Sequence, residues 1–517
     1  MVNIMKTWVY TPVCVRLVSN DGKRSNESFS GAYVALRSSA NILLFERIIT
    51  ISSIYDLSGY SLIFNCAEFN DEETVYWYRC NCDLQVPLQS LSHDLLKVLN
   101  FFKENGFKIL PNDDISQLNV MSLKIKDKHS LKQSLGDLKI LRFADLRVGE
   151  SMFVSSYPFN FTNSLVFSRF VSKGNATCVL NSNNDVLGYL SDLKYLENML
   201  GSVATKKSKE SVGLVMGNIR KTNGDGDLLF VISWNFLWTA LSSHFKRHLS
   251  GPLPPISTVR AASETLELFD NMLSVLPLVI MSKGKLFWAT ATYYNRSTLV
   301  TNKHVVGSFE DDPHNVVCIA YLPRGRSIRL TSSEKVISPF KHLDLTFIEL
   351  SDQSRAIMDD SSMIPASFGK TYEIGDEVVA KGFGLFFDRS SIIPLESRGI
   401  ISTLFRQTID TTSDLKLPSV MVTSSPCWNG SSGGGIFNMS GQLLGIICSN
   451  AQVKSQLGEE KTLETVTEFC LCIPIDTIKQ CYFKLNFDTK FDLNPKVIDI
   501  WNLNSYHDDV VLDGSKL

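Results

Sequence analysis

Gly430-Ser431-Ser432-Gly433-Gly434-Gly435 is the stretch on which the reading of this chain turns. A nucleophilic serine must sit on a tight turn whose backbone N–H groups face the oxyanion formed on attack. Side chains would block the approach there, so the turn asks for glycine. Ser432 is the candidate nucleophile. Taken alone, a Gly/Ser run reads equally well as a flexible loop.

Two upstream segments give it context. Ser297 to Val306 is an apolar strand that ends at a histidine, His304. His342 to Leu350 carries Asp344 into a strand with apolar residues on both faces, as a buried barrel strand has. A charge in such a place needs a partner. Asp344 follows His304 by 40 residues, and Ser432 follows Asp344 by 88. That chain order is the chymotrypsin-like one, not that of subtilisin or the α/β-hydrolases.

Through Thr301-Asn302-Lys303-His304, Leu343-Asp344-Leu345-Thr346 and Gly430 to Gly435, residues 270–485 resemble the trypsin-like serine proteases, and more narrowly their HtrA/Deg branch. The resemblance implies that Ser432 attacks, His304 moves the proton and Asp344 orients the imidazole. It implies an oxyanion hole from the N–H groups of Gly430 and Ser432. It places one pocket wall at Pro426, six residues before the serine, and the opposite wall at Cys448, Ser449 and Asn450. With no carboxylate at Pro426, cleavage after Arg or Lys is not expected. A small neutral pocket follows, compatible with the family precedent of cleavage near a cysteine. Ser431 stands where secreted relatives carry aspartate, so activation by a new N-terminus is closed. Cys427 lacks an evident disulfide partner, and Gly435 replaces the usual proline.

Outward from these motifs, the chain reads as two halves. Short β-branched and aromatic runs broken by Gly, Asn, Asp and Ser signal an all-β chain. Val148 to Val154 matches Ile374 to Ala380 at an offset of 226, and Val212 to Asn218 matches Leu444 to Asn450 at 232. The expected fold class is therefore all-β, with two tandem trypsin-like double β-barrel domains, the N-terminal one degenerate, and a few short helices. In the first copy Ser53 falls at the His304 position and Asn119 opposite Asp344. Asn198-Met199-Leu200-Gly201-Ser202 offers no nucleophile, so that copy is expected to be catalytically dead and to serve packing, substrate presentation or regulation. The expected segments are a degenerate domain at 1–250, a Pro-rich linker and helix at 251–270, the protease at 271–485 and a tail at 486–517. Ser250 to Pro255 breaks regular structure. Thr258 to Leu276 reads as an amphipathic helix through Leu266, Phe269 and Leu273. The tail is too short for a PDZ module.

The chain has 517 residues, 20% of them charged and 44% hydrophobic, with a formal charge of −2. That excludes a disordered chain and argues against a broad nucleic-acid surface. No stretch is long and apolar enough for a signal peptide or a membrane span. Eleven scattered cysteines read as reduced thiols. Cys80/Cys82 and Cys470/Cys472 each point to one side of a strand. No metal and no cofactor is expected; His244 and His248 read as a solvated helix face. The terminal Ser515-Lys516-Leu517 is a peroxisomal address, which adds an import receptor as partner and the peroxisome matrix as location. The resulting expectation is a peroxisomal serine endopeptidase that removes N-terminal leader peptides from imported matrix precursors, with self-cleavage near Arg79 to Asp83. A homo-oligomer stays open. So do two alternatives, a non-catalytic scaffold or chaperone and a general degradative protease.

Overall fold

The computed structural model describes all residues except 1–5, 21–26, 41, 55, 67–75, 111–116, 127–137, 160–169, 183–184, 222–225, 246–254, 260–272, 390–391, 409–415, 458–459, 488–492 and 502–517. For 110, 182, 243, 244, 259, 450–457, 460–468, 487, 496, 499 and 500 it describes the backbone only. His248, most of the Ser250–Pro255 break and the Ser515–Leu517 address thus lie outside the described residues. The chain divides into two compact units, Met1–Glu264 and Thr265–Leu517.

Among its described residues, the first unit is all-β apart from two α-helices and a short 3-10 turn. Its strands close into two rings of six. In one, Glu27–Ser38, Leu43–Ser52, Asn119–Ile125, Tyr78–Pro87, Tyr60–Asn65 and Lys6–Ser19 follow one another, and the last pairs back with the first. In the other, Val203–Thr205, Ser151–Ser156, Phe170–Ser182, Asp185–Ser191, Gly226–Ser233 and Ser211–Lys221 do the same. The runs Val212 to Ile219 and Leu228 to Ser233 are buried almost without a break, because ring closure covers one face and neighbouring elements the other. Arg79 to Asp83 lies inside the Tyr78–Pro87 strand, where Arg79 and Cys80 pair with Tyr60–Asn65 and Cys80 to Cys82 with Asn119–Ile125, so cleavage there requires the sheet to open.

In the second unit the first sheet has seven strands. Its centre runs Val275–Ser282, Lys285–Asn295, Thr298–Thr301 and Thr346–Glu349. The second is a closed six-stranded barrel of Glu377–Gly382, Leu395–Thr408, Lys416–Thr423, Glu460–Pro474, Leu443–Leu457 and Gly435–Asn438. Cys470 and Cys472 both face the barrel core, their sulfurs 3.5 Å apart. All eleven cysteines are free thiols. Among the described residues, no helix is long and apolar enough to cross a membrane, and no group of His, Cys, Asp and Glu could hold a metal ion.

The segment expected as a helix from Thr258 to Leu276 has strand at both ends. Thr258–Val259 adds a parallel edge strand beside Phe143–Ala144, and Val275 opens a strand of the second unit. The β-branched residues there pair with sheets rather than wind. Residues 260–272, which carry Leu266 and Phe269, lie outside the described residues.

Candidate active site

His304 and Asp344 leave the same end of two neighbouring strands. Thr301 pairs with Thr346, the last and first residues of their strands. His304 follows three residues after the one, in the first turn of the helix Lys303–Asp311, and Asp344 lies two before the other. Two hydrogen bonds join them. The His304 backbone N–H donates to Asp344 Oδ1 at 2.9 Å, and His304 Nδ1 meets Asp344 Oδ2 at 2.7 Å. This fixes the carboxylate against one edge of the imidazole and leaves Nε2 for chemistry. Leu343, Leu345, Thr346, Phe347 and Ile348 are fully buried, but the Asp344 side chain keeps 32% of its exposure and that of His304 53%. The acid stands at the mouth of the strand rather than inside it, within reach of solvent.

Ser432 sits on a loop clamped from both sides. On one side is the Lys285–Asn295 strand. Thr290 N–H donates to the Ser432 carbonyl at 2.8 Å, and Thr290 Oγ1 donates to the Gly430 carbonyl at 2.8 Å while accepting from Phe383 N–H at 2.9 Å. Thr292 Oγ1 donates to the Gly433 carbonyl at 3.0 Å. On the other side, Gly433 N–H donates to Ile447 O at 2.9 Å and Ile447 N–H to Gly434 O at 2.8 Å. Gly430 and Gly433 have φ of +100° and +84°. A Cβ on Gly433 would collide with the Thr290 carbonyl oxygen and Thr301 Oγ1, so glycine is obligatory there. Neither Gly430 N–H nor Ser432 N–H has an acceptor among the described residues, as donors aimed at a developing oxyanion must be. Ser432 Oγ donates to the Cys448 carbonyl at 3.1 Å and not to His304. To serve as a nucleophile the hydroxyl would have to turn. Ser431 is buried behind it, its hydroxyl accepting from Trp428 N–H at 3.4 Å.

Pro426, Cys448, Ser449 and Asn450 are the residues expected to line the pocket. Pro426 is half-buried, Cys448 buried and Ser449 exposed. Asn450 continues the Leu443–Leu457 strand and is described in its backbone only. None of the four carries a charge. Burial, and next the Asp344 charge, push the Cys448 thiol well above its ordinary range, so it stays neutral.

The first unit repeats this frame in its main chain. Ser30 N–H donates to Leu200 O at 2.8 Å, Gly201 N–H to Val215 O at 2.8 Å and Val215 N–H to Ser202 O at 2.9 Å. Ser30 Oγ donates to Asn198 O at 3.1 Å and accepts from Tyr157 N–H at 3.1 Å. Gly201 has φ +77°, and a Cβ there would strike the Ser30 carbonyl oxygen and Thr50 Oγ1. Thr50 pairs with Met121 as Thr301 pairs with Thr346. Leu200 thus occupies the position of Ser432, and Ser53 and Asn119 those of His304 and Asp344. Leu200 N–H is taken by the Tyr195 phenol oxygen.

The sequence reading did not find Thr290, Thr292 or Tyr195, and it quoted Asn302 only as part of the histidine motif. Only the two threonines leave a signal, the alternation Ala289-Thr290-Ala291-Thr292, which puts both hydroxyls on one face of a strand.

Residues 289–446 match the family model of the trypsin-like peptidase domain. No curated protein matches the chain. Among solved structures, an HtrA-type protease, AlgW, with a tripeptide is similar at 17% identity over 42% of this chain and 60% of that one, with a TM-score of 0.30. Rv3671c from M. tuberculosis, in an inactive form, is similar at 15% identity over 44% and 91%, TM-score 0.30. Deg5 is similar at 16% identity over 43% and 94%, TM-score 0.30. The chain spans 60% of the length of the AlgW structures it matches.

Proposed function

We propose that this chain, a serine endopeptidase whose trypsin-like domain lies in its second unit, is a peroxisomal processing protease of the HtrA/Deg type that removes N-terminal leader peptides from imported matrix enzymes. The observation that carries the chemistry is the doubly hydrogen-bonded His304–Asp344 pair beside a loop that offers Ser432 and two N–H groups without acceptors. Ser432 turns from the Cys448 carbonyl toward His304 Nε2, and its Oγ attacks the scissile carbonyl. His304 takes the hydroxyl proton, and Asp344 stabilises the resulting imidazolium. The N–H groups of Gly430 and Ser432 hold the oxyanion. His304 then protonates the leaving amine, and a water molecule hydrolyses the acyl-enzyme by the same route in reverse.

The uncharged residues Pro426, Cys448, Ser449 and Asn450 support selection for a small neutral side chain. Ser515-Lys516-Leu517 supports the peroxisome matrix as the working compartment, the import receptor as a partner and imported precursors as substrates. The first unit, lacking all three triad side chains, presents substrate or regulates its active neighbour.

Incubation of leader-bearing precursors with the purified protein tests this reading. Ser432→Ala should slow processing by on the order of 10³-fold or more. Normal processing by that variant would remove Ser432 from its role. Denatured bulk protein cut as readily as the precursors would make the enzyme degradative instead. In cells, deleting Ser515–Leu517 should leave an active enzyme outside peroxisomes, and unchanged import would refute the address.

A further inference from the structure

Asn302 is fully buried where the three triad-bearing segments meet. It holds the N-cap position of the helix that presents His304, yet its side chain makes no cap bond. Its Nδ2 donates instead to the Asp344 backbone oxygen at 2.9 Å and to Cys448 Sγ at 3.1 Å. Cys448 in turn holds the Ser432 hydroxyl on its carbonyl. One amide thus links the segments of the acid, the base and the nucleophile. The arrangement is costly. A cap bond is forgone, and Asn302 Oδ1 is buried without a hydrogen-bond partner.

The first unit shows that packing does not require it. Because Thr50 stands for Thr301 and Val215 for Ile447, Ile51 occupies the Asn302 position and Met216 that of Cys448. Both are fully buried. Where the triad is absent, two buried apolar residues hold the corresponding positions. The amide is present only where the reaction is.

We propose that Asn302 is a positioning residue of the protease, its Nδ2 holding the Asp344 segment against Cys448 so that Asp344, His304 and Ser432 stay in register. It acts through Asp344 and Cys448 and touches no substrate. A neutral Cys448 thiol suits this role, since it accepts from the amide without setting a second charge beside Asp344.

The inference rests on the triad assignment, and the test separates the two. Full-length Asn302→Leu removes both donors at nearly constant volume. It should lower kcat about 10- to 100-fold at unchanged KM, the loss expected from slight misplacement of catalytic groups. The far-downfield proton NMR signal of His304 Nδ1–H should broaden or move upfield, while the thermal midpoint does not fall. If Asn302→Leu does not fold, Asn302→Ile combined with Cys448→Met carries the same test, because the first unit buries these two residue types at the corresponding positions. Wild-type kcat in a folded variant, or a rise in KM alone, overturns the proposal. Ser432→Ala is assayed alongside. If it is inactive while Asn302→Leu is fully active, the positioning role falls alone; if Ser432→Ala still cleaves, the triad assignment falls and this inference with it.

Discussion

The Asn198–Ser202 loop of the first unit and the Gly430–Gly434 loop of the second are held by corresponding main-chain bonds, yet one carries leucine and the other serine at its centre. In both, a hydroxyl on the flanking strand anchors the loop carbonyl, and a left-handed glycine passes under a strand where no Cβ fits. The shape of the site is therefore a property of backbone and glycine, while reactivity is added by a few side chains. Leu200, Ser53 and Asn119 stand where the second unit has the proposed nucleophile, base and acid. Tyr195 goes further and occupies the N–H that the oxyanion would need. The Asn198 side chain likewise turns back to the Ser28 carbonyl at 3.0 Å.

The most severe way to probe this likeness is to add a methyl group to each obligatory glycine. Gly433→Ala and Gly201→Ala should each destabilise their own unit by about 3 kcal/mol or more, from left-handed strain plus collision with a neighbouring carbonyl. Only Gly433→Ala should abolish proteolysis by acting directly on the site. A wild-type melting profile for Gly201→Ala would break the equivalence of the two frames. A smaller effect is expected from Tyr195→Phe, which leaves the Leu200 N–H buried without its acceptor. Chemical denaturation should show a loss of about 1–2 kcal/mol confined to the first unit. No change would mean that water replaces the phenol. The least effect belongs to Leu200→Ser in a Ser432→Ala background. With Ser53 and Asn119 in place of base and acid, this serine should take up no fluorophosphonate probe. Labelling at residue 200 would show a latent centre in the first unit and sharpen the comparison in the opposite sense.

Much of this was legible along the chain, for local reasons. Ser432, His304 and Asp344 each sit in a short motif at a strand end. The assignments of Ser53 and Asn119 coincide with strand register, because a duplicated pair of strands keeps its pairing even as its side chains change. What sequence could not supply is contact across distance. Thr290 reaches Gly430 over 140 residues and Asn302 reaches Cys448 over 146, and no periodicity encodes either. The resting bond of Ser432 to the Cys448 carbonyl is likewise a rotamer choice that no motif fixes. Asp344 was expected within a buried strand; its exposure follows from lying two residues outside that strand, at the mouth of the sheet. The helical spacing of Leu266, Phe269 and Leu273 misled at its margins, where Thr258–Val259 and Val275 onward join sheets.

The free thiols have a practical corollary. All six cysteines of the second unit are buried, whereas Cys82 and Cys178 in the first are only partly covered. Burial raises Cys82 to about 11 and Cys318 and Cys481 to about 12, which suppresses the thiolate of these three at neutral pH. An alkylating reagent can then reach the protease barrel's thiols only when that barrel opens, and their labelling rate serves as a built-in clock for its breathing, independent of whether any peptide is being cut.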